Sequence, residues 1–197
     1  MKRPDYFPDK GDRAYAVSHY DLSLTYDVDS NHLRGKAALL VEAVTDVTEV
    51  RLDLIGMRVT KVTVDGDRVR FAVKDEHLVV RPRRRMKAGE WFRVVVTYGG
   101  TPQPVGEGDD ECGWEELDDG VLVAGQTNGS PTWFPCNDRP DDKATYRIEI
   151  SAPKTKISTS GLATCRSSSR TAVAVRVPTL PVATWKTRIL SLMTCLS

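Results

Sequence analysis

The chain has 197 residues, 28 of them basic and 27 acidic, with a formal net charge of +1, and 40% of its residues are hydrophobic. This length suits one domain, or at most two small ones, with a sizeable core. The balanced charge gives no electrostatic case for binding nucleic acid or an anionic membrane. No stretch approaches the roughly 18 apolar residues that would predict a membrane span.

The first residues have no apolar run after their basic residues, so they do not predict a secretory signal. The four cysteines are Cys112, Cys136, Cys165 and Cys195. None forms the C-x-x-C pair of a zinc knuckle or a redox motif. We therefore expect a cytoplasmic protein with reduced, incidental thiols.

The first strand is predicted from strict alternation of apolar and polar residues after His19. Its core-facing residues are predicted to be Tyr20, Leu22, Leu24 and Tyr26. Further strands are predicted at 36–43, 50–54, 59–64, 68–73, 78–81, 91–98, 121–124 and 144–150. In the strand at 68–73, Val69, Phe71 and Val73 alternate with residues that are mostly charged.

These short strands recur about every ten residues, and no window has a convincing helical period. Asp65-Gly66 between two of them is typical of a β-hairpin turn. The pattern predicts an all-β fold, an antiparallel sandwich or a set of layered sheets.

A different composition marks the segment from Gly99 to Asp142, which is rich in glycine and proline. Eight acidic residues lie between Glu107 and Asp119. Acidic loops can bind calcium, but the D-x-D-x-D-G spacing is missing, which favours a solvated loop.

Residues 150–197 contain no acidic residue at all. We therefore divide the chain into an N-terminal arm (1–12), a β domain (13–152) and an atypical, poorly ordered tail (153–197) with one plausible strand at 172–177. The hypothesis is that the reading frame changes shortly after residue 150. A genuine Ser/Thr-rich linker is the competing interpretation.

Catalytic motifs are missing from the sequence. The histidines His19, His32 and His77 fit no metal-binding spacing, and there is no nucleophile elbow, phosphate-binding loop or dinucleotide fingerprint. We predict neither catalytic nor metal-ligating residues in this chain.

One loop combines candidate binding and anchoring residues. Gln126 can accept hydrogen bonds from an ammonium group. The run Trp133-Phe134-Pro135 is suited to anchoring the loop by burial, and Asp138 is suited to accepting hydrogen bonds from backbone amides in a turn.

This loop closely resembles the signature of the aminopeptidase N family, peptidase family M1. The matching residues are Gly125-Gln126, then Trp133-Phe134-Pro135-Cys136-Asn137-Asp138-Arg139-Pro140, then Lys143-Ala144-Thr145-Tyr146. Residues 15–24, 33–37 and 52–57 are similar to the family's opening strands, so the resemblance covers about residues 10–153.

The resemblance implies a saddle-like, all-β first domain, followed in the family by a thermolysin-like zinc domain of the gluzincin type. That second domain carries the G-x-M-E-N and H-E-x-x-H motifs, and a zinc-bound water attacks the first peptide bond. The β domain contributes a Gln or Glu that binds the substrate's α-amino group, which corresponds to Gln126. A second glutamine of some members corresponds to Ala124, so that contact is missing.

This chain contains neither G-x-M-E-N nor H-E-x-x-H. The resemblance therefore implies a truncated or frame-disrupted aminopeptidase that neither binds zinc tightly nor hydrolyses peptides alone. Its expected partners are the N-terminus of a peptide substrate and the missing catalytic domain. We also expect exposed apolar groups around Trp133 and Phe134, and hence aggregation.

Two other functions remain open from the sequence. The first is a free-standing β-sandwich that binds peptide or carbohydrate, with Trp114 and Trp133 as an aromatic platform. The second is a structural or regulatory fragment that docks on an intact aminopeptidase.

Overall fold

The computed structural model describes residues 10–106, 112–117, 120–124, 129–139, 141–152, 156–159, 175–176 and 193–196. The strands in these ranges are β1 (Tyr15–Asp27), β2 (His32–Ala43), β3 (Val50–Asp53), β4 (Arg58–Val64), β5 (Asp67–Arg68), β6 (Arg70–Lys74), β7 (His77–Arg81), β8 (Trp91–Gly100), β9 (Gly113–Leu117), β10 (Gly120–Ala124), β11 (Thr145–Ser151), β12 (Lys156–Thr159), β13 (Val175–Arg176) and β14 (Met193–Leu196). The predicted all-β class is confirmed. No helix in the described ranges has the length and hydropathy that crossing a membrane requires.

The larger sheet has the strand order β13-β11-β1-β2-β8-β4-β5. The alternation of β1 places its apolar residues on the inner face, as predicted: Tyr20 and Leu24 are at most 3% exposed, while Ser23 and Thr25 face solvent. A bulge between Val17 and His19 shifts the register with β2, and alternation alone gives no sign of it.

The smaller sheet has the order β3-β7-β6. Its apolar side chains, including Leu52, Leu78 and Val80, belong to the same buried cluster as those of the larger sheet. The two sheets therefore share one core, as in a sandwich.

The predicted hairpin at Asp65-Gly66 is confirmed, because β4 and β5 pair and both turn residues have positive φ, 50° and 89°. The strand predicted at 68–73 is nevertheless divided between the two sheets. The amide of Val69 donates to Val62 in the larger sheet, and the chain then enters β6, which pairs with β7. Val69, before the crossing, is buried, whereas Val73 in β6 is 47% exposed.

The strand β11 pairs with β1 in parallel, from His19 opposite Thr145 to Thr25 opposite Ser151. The larger sheet is thus mixed rather than wholly antiparallel. At its outer side β11 pairs with β13, which lies within the strand predicted at 172–177; the rest of that prediction falls outside the described residues.

Part of the acidic segment predicted as a loop is a strand. Residues Gly113–Leu117 pair with Gly120–Ala124 as a hairpin, and Trp114 is 1% exposed. Buried Asn31 holds this hairpin to the core: its Oδ1 accepts the indole N–H of Trp114 at 3.3 Å, and its Nδ2 donates to Glu116 Oε2 at 2.8 Å. A buried tryptophan with a satisfied N–H explains why this part of the segment is not a solvated loop.

Candidate functional site

The predicted substrate contact, Gln126, lies outside the described residues, as do its neighbours 125–128. The structure does describe the residues on either side, Ala124 at the end of β10 and Gly129 at the start of the next segment. The geometry of these two flanks determines where the segment with Gln126 enters and leaves the fold.

Both flanks are attached to the first two residues of β9. Ala124 is the cross-strand partner of Gly113. On the other side, the hydroxyl of Thr132 donates to the Gly129 carbonyl at 2.6 Å and accepts the backbone N–H of Trp114 at 3.2 Å. The Thr132 side chain is fully buried, so these bonds are shielded from competition by water.

Glycine is required at position 113 for two reasons. Its φ is +110°, a conformation that residues with a β-carbon rarely adopt. A β-carbon built there would also lie 2.5 Å from Thr132 Oγ1 and 3.2 Å from the Gly129 carbonyl oxygen. The close approach of β9 to Thr132 and Gly129 therefore depends on this glycine.

A 3-10 turn at Ser130–Thr132 follows, and backbone bonds fasten it to the core. The Pro131 carbonyl accepts the amide of Ile55 at 2.8 Å. The carbonyl of Trp133 accepts the phenol of Tyr98 at 2.9 Å. The turn is thereby held between the smaller sheet and β8.

Phe134 lies within a cluster of aromatic rings. Its ring centre is 4.4 Å from that of Trp133 and 5.6 Å from that of Tyr20, and Tyr20 stacks on Tyr146 at 5.0 Å. Phe134 is 2% exposed and Trp133 is half-buried. The expectation of an exposed apolar surface around these two residues is therefore wrong, because the domain's own tyrosines cover Phe134.

Cys136 and Asp53 exchange two backbone hydrogen bonds, of 2.8 and 3.1 Å, in an isolated antiparallel bridge. Asp53 is 4% exposed, and its carboxylate accepts the amides of Gly11 and Asp138 at 2.9 and 3.0 Å. His77 Nδ1 is buried and lies 3.0 Å from a carboxylate oxygen of Asp53, without a hydrogen bond between them. Asp53 thus joins the loop, the N-terminal segment and the smaller sheet.

The structure gives Asp53 the role that was predicted for Asp138. The Asp138 carboxylate instead lies 3.4 Å from the ammonium group of Lys10. Burial, with the nearby charge of Asp53, raises the pKa of Asp138, while Lys10 opposes that rise. The sequence does offer a signal for Asp53, since an acid inside the apolar run of β3 needs a buried partner.

Asn137 connects the loop to Asp12 of the N-terminal segment through its side-chain amide. Its side chain accepts the Asp12 amide at 2.6 Å and donates to the Asp12 carbonyl and to Asp142 Oδ2. Its own amide donates to the hydroxyl of Tyr20 at 3.0 Å. Burial raises the pKa of Asp142, although its hydrogen bonds with Asn137 and Val17 favour the charged form.

A cavity of about 380 Å³ beside this loop is lined by Lys10, Gly11, Asp12, Arg13, Glu49, Arg51 and Arg139. Its cations already have internal contacts: Arg13 and Arg139 pair with Asp141, and Arg51 donates to the Gly11 carbonyl. These contacts fasten the N-terminal segment and give no specific indication of an anion site.

The residues present do not fit a zinc site of the H-E-x-x-H type, which needs two histidines one helical turn apart. His19 lies 2.7 Å from the Thr145 hydroxyl, His32 begins β2, and His77 contacts Asp53. Among the described residues, no group of three His, Cys, Asp or Glu side chains is placed to hold a metal ion. Cys112 and Cys136 are free thiols.

Comparison with known families gives a match to the Peptidase M1 N-terminal domain over residues 16–175. This match covers more than half of the chain, so the chain belongs to that family. No curated protein matches it.

Solved structures agree with this assignment. An M1 zinc metallopeptidase from Deinococcus radiodurans is 30% identical, with a TM-score of 0.79, and the match covers 87% of this chain and 41% of that one. A mutant of a two-domain M1 zinc metallopeptidase bound to L-tryptophan matches at 30% identity and a TM-score of 0.78, over 86% and 41% of the two chains. Yeast LTA4 hydrolase with bestatin, at 18% identity and a TM-score of 0.69 over 90% and 29%, shares the fold. The chain thus spans less than half the length of these proteins.

Proposed function

We propose that this chain is the substrate-binding first domain of a zinc-dependent aminopeptidase, and that Gln126 contacts the α-amino group of the peptide. Family membership supports the first part. The observation that carries the second is the attachment of both flanks of 125–128 to Gly113 and Trp114, through Ala124 and Thr132. A contact residue needs such fixed ends to offer its amide in one place.

The chemistry suits a glutamine. Its amide oxygen accepts a hydrogen bond from an ammonium group without adding a charge that would require compensation in the free protein. The related Deinococcus structures support the substrate class, since one of them holds the peptide Tyr-Ser-Ala. One charge-assisted hydrogen bond is worth about 1.5–3 kcal/mol, so binding by this chain alone is on the order of millimolar or weaker.

We further propose that the chain is inactive by itself. Its sequence contains neither G-x-M-E-N nor H-E-x-x-H, and its histidines lie in three separate places. Zinc, where the family uses it, would belong to residues that this chain does not have. Stoichiometric zinc together with turnover of an aminoacyl-arylamide by the purified chain would overturn this proposal.

We also propose that the chain divides into an arm, a β domain and a tail, with boundaries at residues 12 and 152. We propose in addition that a change of reading frame accounts for the acid-free tail. The family match runs on to residue 175, so the tail boundary needs its own test. Reading the encoding DNA in its other two frames provides one: codons for G-x-M-E-N and H-E-x-x-H would support the frame change, and a confirmed in-frame tail without them would contradict it. A cytoplasmic location is likewise a proposal.

A free-standing peptide- or carbohydrate-binding module is not favoured. Its aromatic platform was predicted to be Trp114 and Trp133, but Trp114 is 1% exposed and its ring packs against Tyr26 at 5.0 Å. A buried indole has no face left for a sugar or a peptide.

The test uses the side-chain amide signals of glutamine in an NMR titration. The sequence has two glutamines, Gln103 and Gln126, so the assignment needs one variant. Gln126→Ala identifies the Gln126 signal by its loss; in the wild type we expect L-tryptophan amide to shift this signal and N-acetyl-L-tryptophan amide to leave it unchanged. Gln103→Ala, in an exposed position, is the matched control. Equal shifts with the acetylated ligand would rule out amine recognition.

A further inference from the structure

Exposed apolar side chains concentrate at one end of the larger sheet. The large hydrophobic residues exposed among the described residues are Leu40 (41%), Val44 (56%), Val73 (47%) and Trp91 (52%). Trp91 lies opposite Glu42 in the pairing of β2 with β8. Leu40 is two residues before Glu42 and Val44 two residues after it, so both are diagonal neighbours of the indole. We call Leu40, Val44 and Trp91 the Trp91 patch.

Opposite charges flank this patch. Glu42 faces Trp91 across the strands, and Arg93, two residues along β8, faces Leu40. Within the part of the chain that the structure describes, neither side chain forms an ion pair. An interface between two copies related by a two-fold axis must be complementary to itself. A patch with an apolar centre, one acid and one base meets that condition, whereas charges of one sign would repel their own copy.

We propose that the Trp91 patch is a surface through which two copies of this chain associate, with Glu42 of one copy facing Arg93 of the other. Beside the patch lie two residues with short side chains, Ala38 and its cross-strand partner Val95. Three apolar side chains form a small interface compared with stable ones, so association is weak, on the order of 10–100 μM.

Sedimentation velocity of the full chain across that concentration range tests the proposal. We expect a monomer–dimer equilibrium that Trp91→Ser weakens at least tenfold. Val73→Ser, equally exposed but on β6 of the other sheet, is the matched control and leaves the equilibrium unchanged. A chain that stays monomeric throughout, or a Trp91→Ser variant that associates as strongly, overturns the proposal. Matching melting temperatures establish that each variant is folded.

Charge reversal tests the pairing itself. In a dimer of the Glu42→Arg variant, each contact between position 42 of one copy and position 93 of the other joins two arginines. In a dimer of Arg93→Glu, the same contact joins two glutamates. Each variant alone should therefore associate at least tenfold more weakly than the wild type. In a dimer of one variant with the other, one cross-contact joins the two introduced side chains, which have opposite charges, and the second joins the original Glu42 and Arg93. An equimolar mixture should therefore restore association. Single variants that associate normally, or a mixture that stays monomeric, contradict the facing of Glu42 and Arg93.

Discussion

The ring of Tyr98 lies directly over Gly35 of the neighbouring strand. A β-carbon at position 35 would lie 2.2 Å from the ring carbon Cζ of Tyr98. From that position the phenol reaches the Trp133 carbonyl at 2.9 Å. Because Gly35 of β2 has no side chain, Tyr98 of β8 can lie over it and hold the loop that precedes Phe134.

Gly35→Ala should therefore destabilise the domain by about 1–3 kcal/mol, because the tyrosine ring must move from a packed position. Tyr98→Phe should cost about 1 kcal/mol, since it removes only the hydrogen bond to Trp133. Urea denaturation followed by circular dichroism measures both. In a Tyr98→Ala background Gly35→Ala should cost much less, and a cost that is the same in both backgrounds would show that the ring is not what excludes a side chain at 35.

Asp53→Ala should be among the most damaging changes in the domain. It leaves the amides of Gly11 and Asp138 without their acceptor in a buried place, which costs about 2 kcal/mol or more. Asp53→Asn keeps one oxygen and should cost less. Asp27→Ala, at an exposed position at the end of β1, is the control and should stay within about 0.5 kcal/mol of the wild type. Equal losses for Asp53→Ala and Asp27→Ala would contradict this role.

Asp138 should make stability fall as pH rises. Burial raises its pKa in the folded state, so its favourable contribution is complete below the ordinary aspartate pKa and is lost as pH rises through the raised value. Asp138→Asn should match the wild type at about pH 3.5 and melt at a higher temperature at about pH 7.

Asp46→Asn provides a comparison of opposite sign. The hydrogen bond from the Ala88 amide, helped by Arg85 and Lys87, lowers the pKa of Asp46, so its contribution is present above the ordinary pKa and lost as pH falls. This variant should melt lower than the wild type near neutral pH, and the difference should vanish in acid. If the melting temperatures of the wild type, Asp138→Asn and Asp46→Asn changed with pH in the same way, both the raised pKa of Asp138 and the lowered pKa of Asp46 would be refuted.

The thiols of Cys112 and Cys136 should differ in reactivity. Burial raises the pKa of Cys136 well above its usual value, and the thiol is 3% exposed. Cys112 is half-buried, and its pKa is raised less strongly. Because the thiolate is the reactive form, iodoacetamide should label Cys112 in the native protein and Cys136 only after unfolding. Peptide mapping by mass spectrometry distinguishes the two, and simultaneous labelling would contradict the buried position of Cys136.

Local patterns were sufficient to predict β1 and the hairpin at Asp65-Gly66, because alternation and turn chemistry act over a few residues. Local patterns could not predict that the chain leaves the larger sheet at Val69. The alternation continues from β5 into β6, and the two strands differ only in the strands with which they pair. The turn at Asp75-Glu76 has positive φ at both residues without a glycine, so it gave no signal either.

The candidate site was predictable in part. The family motif pointed to the loop around Phe134 and to Gln126, but not to the residues that hold that loop. Thr132 and Gly113 act through a contact between separate segments, which the sequence does not reveal. The aromatic run suggests an exposed interface, because the sequence does not reveal that Tyr20, far away in the chain, packs against Phe134.

The parallel pairing of β1 with β11 has a consequence for synthesis. His19 and Thr145 are 126 residues apart, so one edge of the first strand stays open on the ribosome until nearly the whole domain has been translated. Pairing over such a distance is slow, and an open strand edge can recruit other chains. Any interruption of translation before residue 151 would therefore release a sheet with that edge of β1 uncovered. Completion of β11 covers this edge and so protects the domain from aggregation through it.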